Sequence, residues 1–276
     1  MGKEEFVLTS ENYYSNEADR RYMSVSQFKD FAGSYGRTGC EFCAMEKLNE
    51  RWHTAPSTPM LVGSYVDSYF EGTLDKFKEE NPSIFKKDGT LKTEYAGAEN
   101  IIKRIERDKL FMYYMSGEKQ VIMTGSLFGC DWKIKMDSYI ADSVLADGKI
   151  VDLKTMKSIY DKNWVRDLGY IDFVRYWGYD IQGAVYQKIV EINTGCKLPF
   201  YIAAATKEFE PDIEIIHISQ PILAEALAVV ERNIKRVLEV KSGVLEPDRC
   251  EVCDCCKRTK VLTKPIELDE IINKIY

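Results

Sequence analysis

Two stretches decide the fold, Trp132-Lys133-Ile134-Lys135-Met136-Asp137 and Lys149-Ile150-Val151-Asp152-Leu153-Lys154-Thr155-Met156. The first alternates apolar and charged residues, the period of a strand with one face buried. Asp147-Gly148 supplies turn chemistry just ahead of the second. A period of two puts Asp152 and Lys154 on one face of their strand and Leu153 on the other. Pairing of the two strands brings Asp137 toward the same face. Two acids and a lysine on a face otherwise expected to be apolar are costly to bury unless they bind something. Hard oxygen donors of this kind suit Mg²⁺ or Mn²⁺, and Lys154 suits a phosphate or an attacking water. The competing account is a solvated sheet edge carrying an ordinary ion pair.

Helical patterns flank these strands. Residues 172–193 carry an amphipathic pattern in which Gln182 and Tyr186, four apart, share a face beside the apolar stripe. Residues 60–77 read as a helix with Leu61, Tyr65 and Tyr69 at steps of four. Within it, Gly63-Ser64-Tyr65-Val66-Asp67 places Asp67 one turn after a glycine that allows close approach to another element. Each alone is equally compatible with an ordinary amphipathic helix.

Further helices are expected from Ser24, a candidate cap with Gln27 three residues later, to Gly33. Others are expected from about Cys40 to Trp52, over 95–115 and over 221–240, the last capped by Ser219 and followed by Gly243. Strands are expected over 120–128, 130–140, 149–156, 199–206 and 214–218. Residues 1–23, polar and rich in tyrosine, read as a poorly ordered or strand-like lead-in. The order implies one mixed α/β domain. It divides into a helical lead-in over 1–56, a catalytic core over 57–241 and a cysteine-rich tail over 242–276.

Composition narrows the chemistry. Of 276 residues, 45% are hydrophobic and 30% charged, a globular balance. Mean hydropathy is −0.31, and no run approaches the length of a membrane span. The opening residues lack a signal-peptide core, and Phe6 stands where a myristoylation signal needs Ser or Thr, so a cytoplasmic protein is expected. Net charge is −6, which argues against nonspecific basic adhesion to nucleic acid, although bases outnumber acids between Ile101 and Arg166. Only two histidines occur, His53 and His217, and HExxH, GxxxxGK[ST], GxGxxG and GxSxG motifs are all missing. Chemistry must therefore rest on carboxylates, lysines or cysteines.

Eight cysteines in a reducing compartment read as thiols or metal ligands rather than disulfides. Cys250-Glu251-Val252-Cys253-Asp254-Cys255-Cys256 is dense, and Cys40-Glu41-Phe42-Cys43 lies far upstream. Such C-x-x-C pairs let two thiolates share one metal or cluster. Cys130 and Cys196 read as core residues.

Taken in order, these segments resemble the RecB-like branch of the PD-(D/E)XK nuclease superfamily, and most closely its phage and prophage exonuclease VIII (RecE-like) group. Ser24-Val25-Ser26-Gln27-Phe28 looks like the first helix of these nucleases. The segment from Gly63 to Asp67 stands in place of the GxxxH motif, and Asp137 matches the first acid. Asp152-Leu153-Lys154-Thr155 matches the DxK strand, and Gln182-Gly183-Ala184-Val185-Tyr186 matches QxxxY. The departure is Asp67, where the motif has histidine; aspartate is still a competent oxygen ligand.

The resemblance implies a restriction-endonuclease-like core, a central mixed sheet flanked by helices, and metal-dependent phosphodiester hydrolysis. Asp137, Asp152 and the Leu153 carbonyl would hold one Mg²⁺ or Mn²⁺, with Asp67 at the same or a second site. Lys154 would orient or activate the attacking water, and Gln182 and Tyr186 would line the DNA end or the scissile phosphate. The implied substrate is linear duplex DNA degraded 5′ to 3′, leaving a strand for a single-strand annealing partner, with a homo-oligomeric ring as a possible assembly. Several relatives carry a [4Fe-4S] cluster on one early and three late cysteines. Cys40 (or Cys43), Cys250, Cys253 and Cys256 look similar, with zinc as the rival occupant. The alternative function is an inactive, cysteine-ligated nucleic-acid-binding or scaffold protein.

Overall fold

The computed structural model describes residues 6–144, 146–166 and 168–270. Residues 1–5 of the lead-in and 271–276 of the tail lie outside them. Three short helices come first: α1 (Asn16–Arg21), α2 (Val25–Ala32) and α3 (Glu41–Leu48). The lead-in is therefore partly helical, because Ser15 caps α1 through the Ala18 amide. Ser24 caps α2 by accepting from the Gln27 amide at 3.2 Å. The Gln27 side chain, however, donates to the Asp19 carbonyl at 3.0 Å instead of closing a reciprocal box.

Next come α4 (Thr58–Glu71), α5 (Leu74–Glu80), α6 (Gly97–Glu106) and α7 (Lys109–Tyr114). The helix expected over 60–77 ends at Gly72 in the left-handed conformation. The helix expected over 95–115 is interrupted where Asp108 caps a new helix through the Phe111 amide at 2.9 Å. In both cases a cap outweighs a continuous apolar pattern.

Strands β1 (Val121–Leu127) and β2 (Cys130–Met136) form an antiparallel hairpin, and β3 (Ser138–Ile140) follows at once. The strand expected over 130–140 thus bends at Asp137, between β2 and β3. After β4 (Lys149–Met156) comes a hairpin absent from the sequence reading, β5 (Lys162–Val165) with β6 (Gly169–Asp172). Its alternating side chains include exposed aromatics, so it shows no core-facing periodicity. The helix expected over 172–193 is two, α8 (Phe173–Trp177) and α9 (Tyr179–Thr194), broken at Gly178 with φ +65°. The chain closes with β7 (Phe200–Thr206), β8 (Ile213–Ile218), α10 (Gln220–Lys241) and α11 (Asp254–Arg258). Ser219 stands at the N-cap of α10 without a capping side-chain hydrogen bond.

The central sheet has the order β3-β4-β7-β8, with β4 and β7 parallel and the outer pairs antiparallel. A parallel pair needs a crossover, which the β5–β6 hairpin, α8 and α9 provide. On one face, Ile150, Met156, Ile202 and Ala204 join a core with α9, α10, α2 and β2. On the other, Val151, Leu153, Ala203 and Ala205 pack with α4, α6 and α7. The mixed sheet between helical layers is the expected fold class. Alternation along β4 therefore sends Asp152 and Lys154 toward α9 and Leu153 toward α4. Among the described residues, no helix is long and apolar enough to cross a membrane.

Candidate active site

Asp152, only 2% exposed, is gripped from two sides. Gln182 Nε2 on α9 donates to its Oδ1 at 2.6 Å, and Lys154 Nζ lies 2.5 Å from its Oδ2. That second oxygen has no aligned hydrogen-bond donor despite its burial, so a lone pair remains for a further electrophile. Asp137, at the bend, accepts from the Leu153 amide through Oδ2 at 2.8 Å. The bend is what aims its carboxylate across at β4 rather than along the β2 ladder. Tyr186 donates from its hydroxyl to the Lys135 carbonyl at 3.1 Å and fixes β2 against α9.

Asp67 approaches from the opposite layer. An added Cβ on Gly63 would lie 2.8 Å from Thr155 Oγ1, so the glycine is what lets α4 sit this close to β4. Asp67 Oδ1 is buried and has no hydrogen-bond partner. An orphaned buried carboxylate oxygen costs free energy unless something supplies a proton or a cation.

The electrostatics agree. Burial and the neighbouring Asp137 carboxylate hold Asp67 well above the usual carboxylate range. Burial, then Asp152, pushes Asp137 up to about 7. Burial opposes charge on Lys154, but Asp152 and Asp137 outweigh it and keep the ammonium protonated. The site is a cluster of acids short of positive charge.

These groups line a cavity of about 270 Å³ that holds Asp67, Asp137, Asp152, Leu153, Lys154, Gln182 and Tyr186 together. Every residue assigned to the acid–lysine site from sequence is thus brought to one place. Further residues that sequence reasoning missed also line it, among them Lys29, Lys135, Glu71, Tyr13 and Tyr14. Glu71 follows Asp67 by one turn of α4, a spacing that could have flagged it. Lys29, lowered to about 8 by burial and then by Lys154, carries no such signal.

Over residues 24–259 the chain matches the family model described as "PDDEXK-like domain of unknown function (DUF3799)". The chain belongs to this family. The PDDEXK-like chain is also 63% identical to a crystal structure described as "Putative exonuclease" from Eubacterium rectale. That match covers 97% of this chain and 98% of the other, with a TM-score of 0.92. The crystal structure of SSO0001 is far more distant, 15% identical over 82% of this chain and 97% of that one, with a TM-score of 0.31. A comparison with curated proteins returns no match.

A second constellation of the PDDEXK-like chain joins its two ends. Cys40, Cys250, Cys253 and Cys256 bring their sulfurs within 4.8 Å of one another. Cys40 to Cys256 is 3.5 Å, Cys253 to Cys40 is 3.8 Å and Cys250 to Cys256 is 4.0 Å, too long for disulfide bonds. Backbone amides point at three sulfurs, Cys43 to Cys40 at 3.4 Å, Cys253 to Cys250 at 3.3 Å and Cys256 to Cys253 at 3.4 Å. At Cys250 burial is outweighed by such donors, which bring the thiol down to about 7, whereas at Cys40 burial wins and pushes it up to about 12. Cys43 lies outside the four, so the early position falls on Cys40. Cys130 is buried in the core, whereas Cys196 is half-buried at its rim.

Proposed function

We propose that this PDDEXK-like protein is a divalent-metal-dependent deoxyribonuclease of the RecB-like branch that degrades linear duplex DNA from its ends. Asp152 carries the reading: a buried carboxylate tied to Lys154 and Gln182, beside Asp137 and the unpartnered Asp67 oxygen. The exonuclease description of the Eubacterium rectale protein supports the same reading.

The donor set fits Mg²⁺ or Mn²⁺, since clustered carboxylates with an orphaned oxygen lack only a hard cation. Asp137, Asp152 and the Leu153 carbonyl would hold it, with Asp67 replacing the histidine of related motifs. Such an ion supplies Lewis-acid polarisation of a phosphoryl oxygen and lowers the pKa of water. The chain's own residues do the rest. Lys154, fixed by Asp152 and standing 5.4 Å from the Tyr179 ring centre, orients water and offsets charge developing on the phosphate. Gln182 holds Asp152 in one rotamer, and Tyr186 holds the β2 backbone beside it. By analogy with exonuclease VIII-like proteins, degradation runs 5′ to 3′ and leaves a strand for an annealing partner.

For the cysteine centre we propose one Zn²⁺. Four sulfurs around a zinc ion with bonds of about 2.3 Å lie roughly 3.8 Å apart; three of the separations here are 3.5, 3.8 and 4.0 Å, and all lie within 4.8 Å. A four-iron cluster, with each thiolate on a different iron, spreads its ligands wider. The ion would staple α11 and the tail to α3.

The test is incubation with end-labelled linear and closed-circular duplex DNA, with and without Mg²⁺ or Mn²⁺. Loss of the linear form alone is the expected result. Cutting of circles at the same rate would make the protein an endonuclease, and no cutting in either metal would favour a scaffold.

A further inference from the structure

The carboxylate cavity does not end at Lys29. Ser26 and Lys29 also line a larger cavity of about 540 Å³, which continues past Arg37, Trp52 and Trp177. Ser34, Arg37 and Thr38 are shared in turn with a third, open hollow of about 450 Å³, walled by Trp164 and Arg166 of the β5–β6 hairpin. The three form one trough, leading from the acids along α2 to the hairpin.

Its chemistry is uniform. Three tryptophans stand along it, and two of them present rings to solvent: Trp164 is 67% exposed and Trp177 40%. Trp164 is braced edge-on by Tyr170 across the hairpin, ring centres 5.3 Å apart, and Tyr170 is itself 70% exposed. The Arg37 guanidinium lies 5.1 Å from the Trp177 ring centre. Lys29 Nζ donates to the Trp177 carbonyl at 3.1 Å, which fixes α8 beside α2. Beyond the carboxylate cavity the acids of the trough are ion-paired, Asp30 with Lys47 at 2.9 Å and Asp254 with Lys257 at 3.5 Å. Among the described residues, Lys29, Arg37 and Arg166 enter no ion pair.

A hairpin that exposes two braced aromatics gains nothing from them as core. Aromatic faces spaced among unpaired cations match an unpaired nucleic-acid strand, whose bases stack while its phosphates follow the positive charge. We propose that it is the track of a single DNA strand leading into the carboxylate site, with Trp164 and Trp177 as stacking platforms and Arg37 and Arg166 as phosphate contacts. This rests on the nuclease reading and adds to it: the strand is unpaired before it reaches Lys154.

The test is fluorescence anisotropy with labelled dT15, U15 and a blunt DNA hairpin, with Ca²⁺ in place of Mg²⁺, on the full chain. Wild type is expected to bind dT15 more tightly than U15. Trp164→Ala should weaken dT15 binding about tenfold with an unchanged salt slope. Arg37→Ala should weaken it similarly and lower the slope by about 0.7, one phosphate on a single strand. Both side chains are exposed, so unfolding is not at issue. Unchanged dT15 affinity in both variants would overturn the track, as would a preference for U15 or a loss of blunt-hairpin affinity in the variants as large as the loss for dT15. A track that binds as expected in a wild type inert with Mg²⁺ and Mn²⁺ would instead overturn the nuclease reading alone.

Discussion

Gln182 Nε2 donates to Asp152 Oδ1 at 2.6 Å, across thirty residues of chain and from a different element. The contact leaves the other carboxylate oxygen to Lys154 and to whatever enters the cavity. Gln182 thereby acts as a positioning residue. Gln182→Ala should reduce metal affinity or turnover by about 10- to 100-fold, the range seen when a ligand loses its supporting hydrogen bond. Gln182→Glu places a second carboxylate against Asp152 and should do worse. Mn²⁺ titration beside kcat separates a positioning loss from a general loss of stability.

Lys154→Ala should remove turnover by about 100- to 1000-fold, the scale of losing one charge-stabilising group. Metal binding should persist, because Asp137 and Asp152 keep their oxygens. Calorimetric titration of Mn²⁺ into the variant checks this, together with its melting temperature, since Asp152 loses a buried ion-pair partner.

Gly63→Ala should cost about 1–3 kcal/mol and most of the activity, because its new Cβ meets Thr155 Oγ1 at 2.8 Å and pushes α4, with Asp67, away from β4. Thr155→Ala in the same chain removes the colliding atom and should restore part of both. Urea unfolding and activity of the two single variants and the double variant form the test.

The sites legible in the sequence were those written as spacing. Period two in β4 and a step of four in α9 forecast that Asp152, Lys154 and Gln182 would converge, and they do. Breaks were harder to read. Gly178 and Asp108 interrupt patterns whose apolar residues continue beyond them, because a cap acts through one residue's backbone and not through periodicity. The β5–β6 hairpin was invisible for the opposite reason: Trp164 and Tyr170 face outward, so nothing in their pattern announces a buried face. Lys29, Lys135 and Tyr13 reach the cavity through tertiary packing alone, whereas the step of four from Asp67 to Glu71 is legible in the sequence.

Asp137 supplies a pH dependence. In the metal-free protein its pKa of about 7 exceeds the unfolded value of about 3.9, so the folded state retains a proton that the unfolded chain has released. The resulting stability is fully present below the unfolded pKa and is lost as pH rises through 7. The melting temperature of wild type minus that of Asp137→Asn should therefore fall between about pH 4 and 7. Stabilisation by Mn²⁺, which competes with that proton, should grow over the same interval.

Removal of zinc by a chelator should release the tail, lower the melting temperature and expose the Cys255 region to proteolysis. Cys253→Ala should abolish zinc binding, with metal analysis falling from one ion per chain to none, while Cys196→Ala should leave it at one. Iron in place of zinc would refute the single-ion reading of the sulfur distances.

The central claim is that Asp137, Asp152 and Lys154 form a metal-dependent phosphodiesterase centre. Its most direct test is release of nucleotides from linear duplex DNA by wild type and Asp152→Asn, in Mn²⁺ and in EDTA. The account predicts release by wild type in Mn²⁺ only, and none by the variant in either condition. Release by Asp152→Asn at the wild-type rate, or by wild type in EDTA, would contradict it.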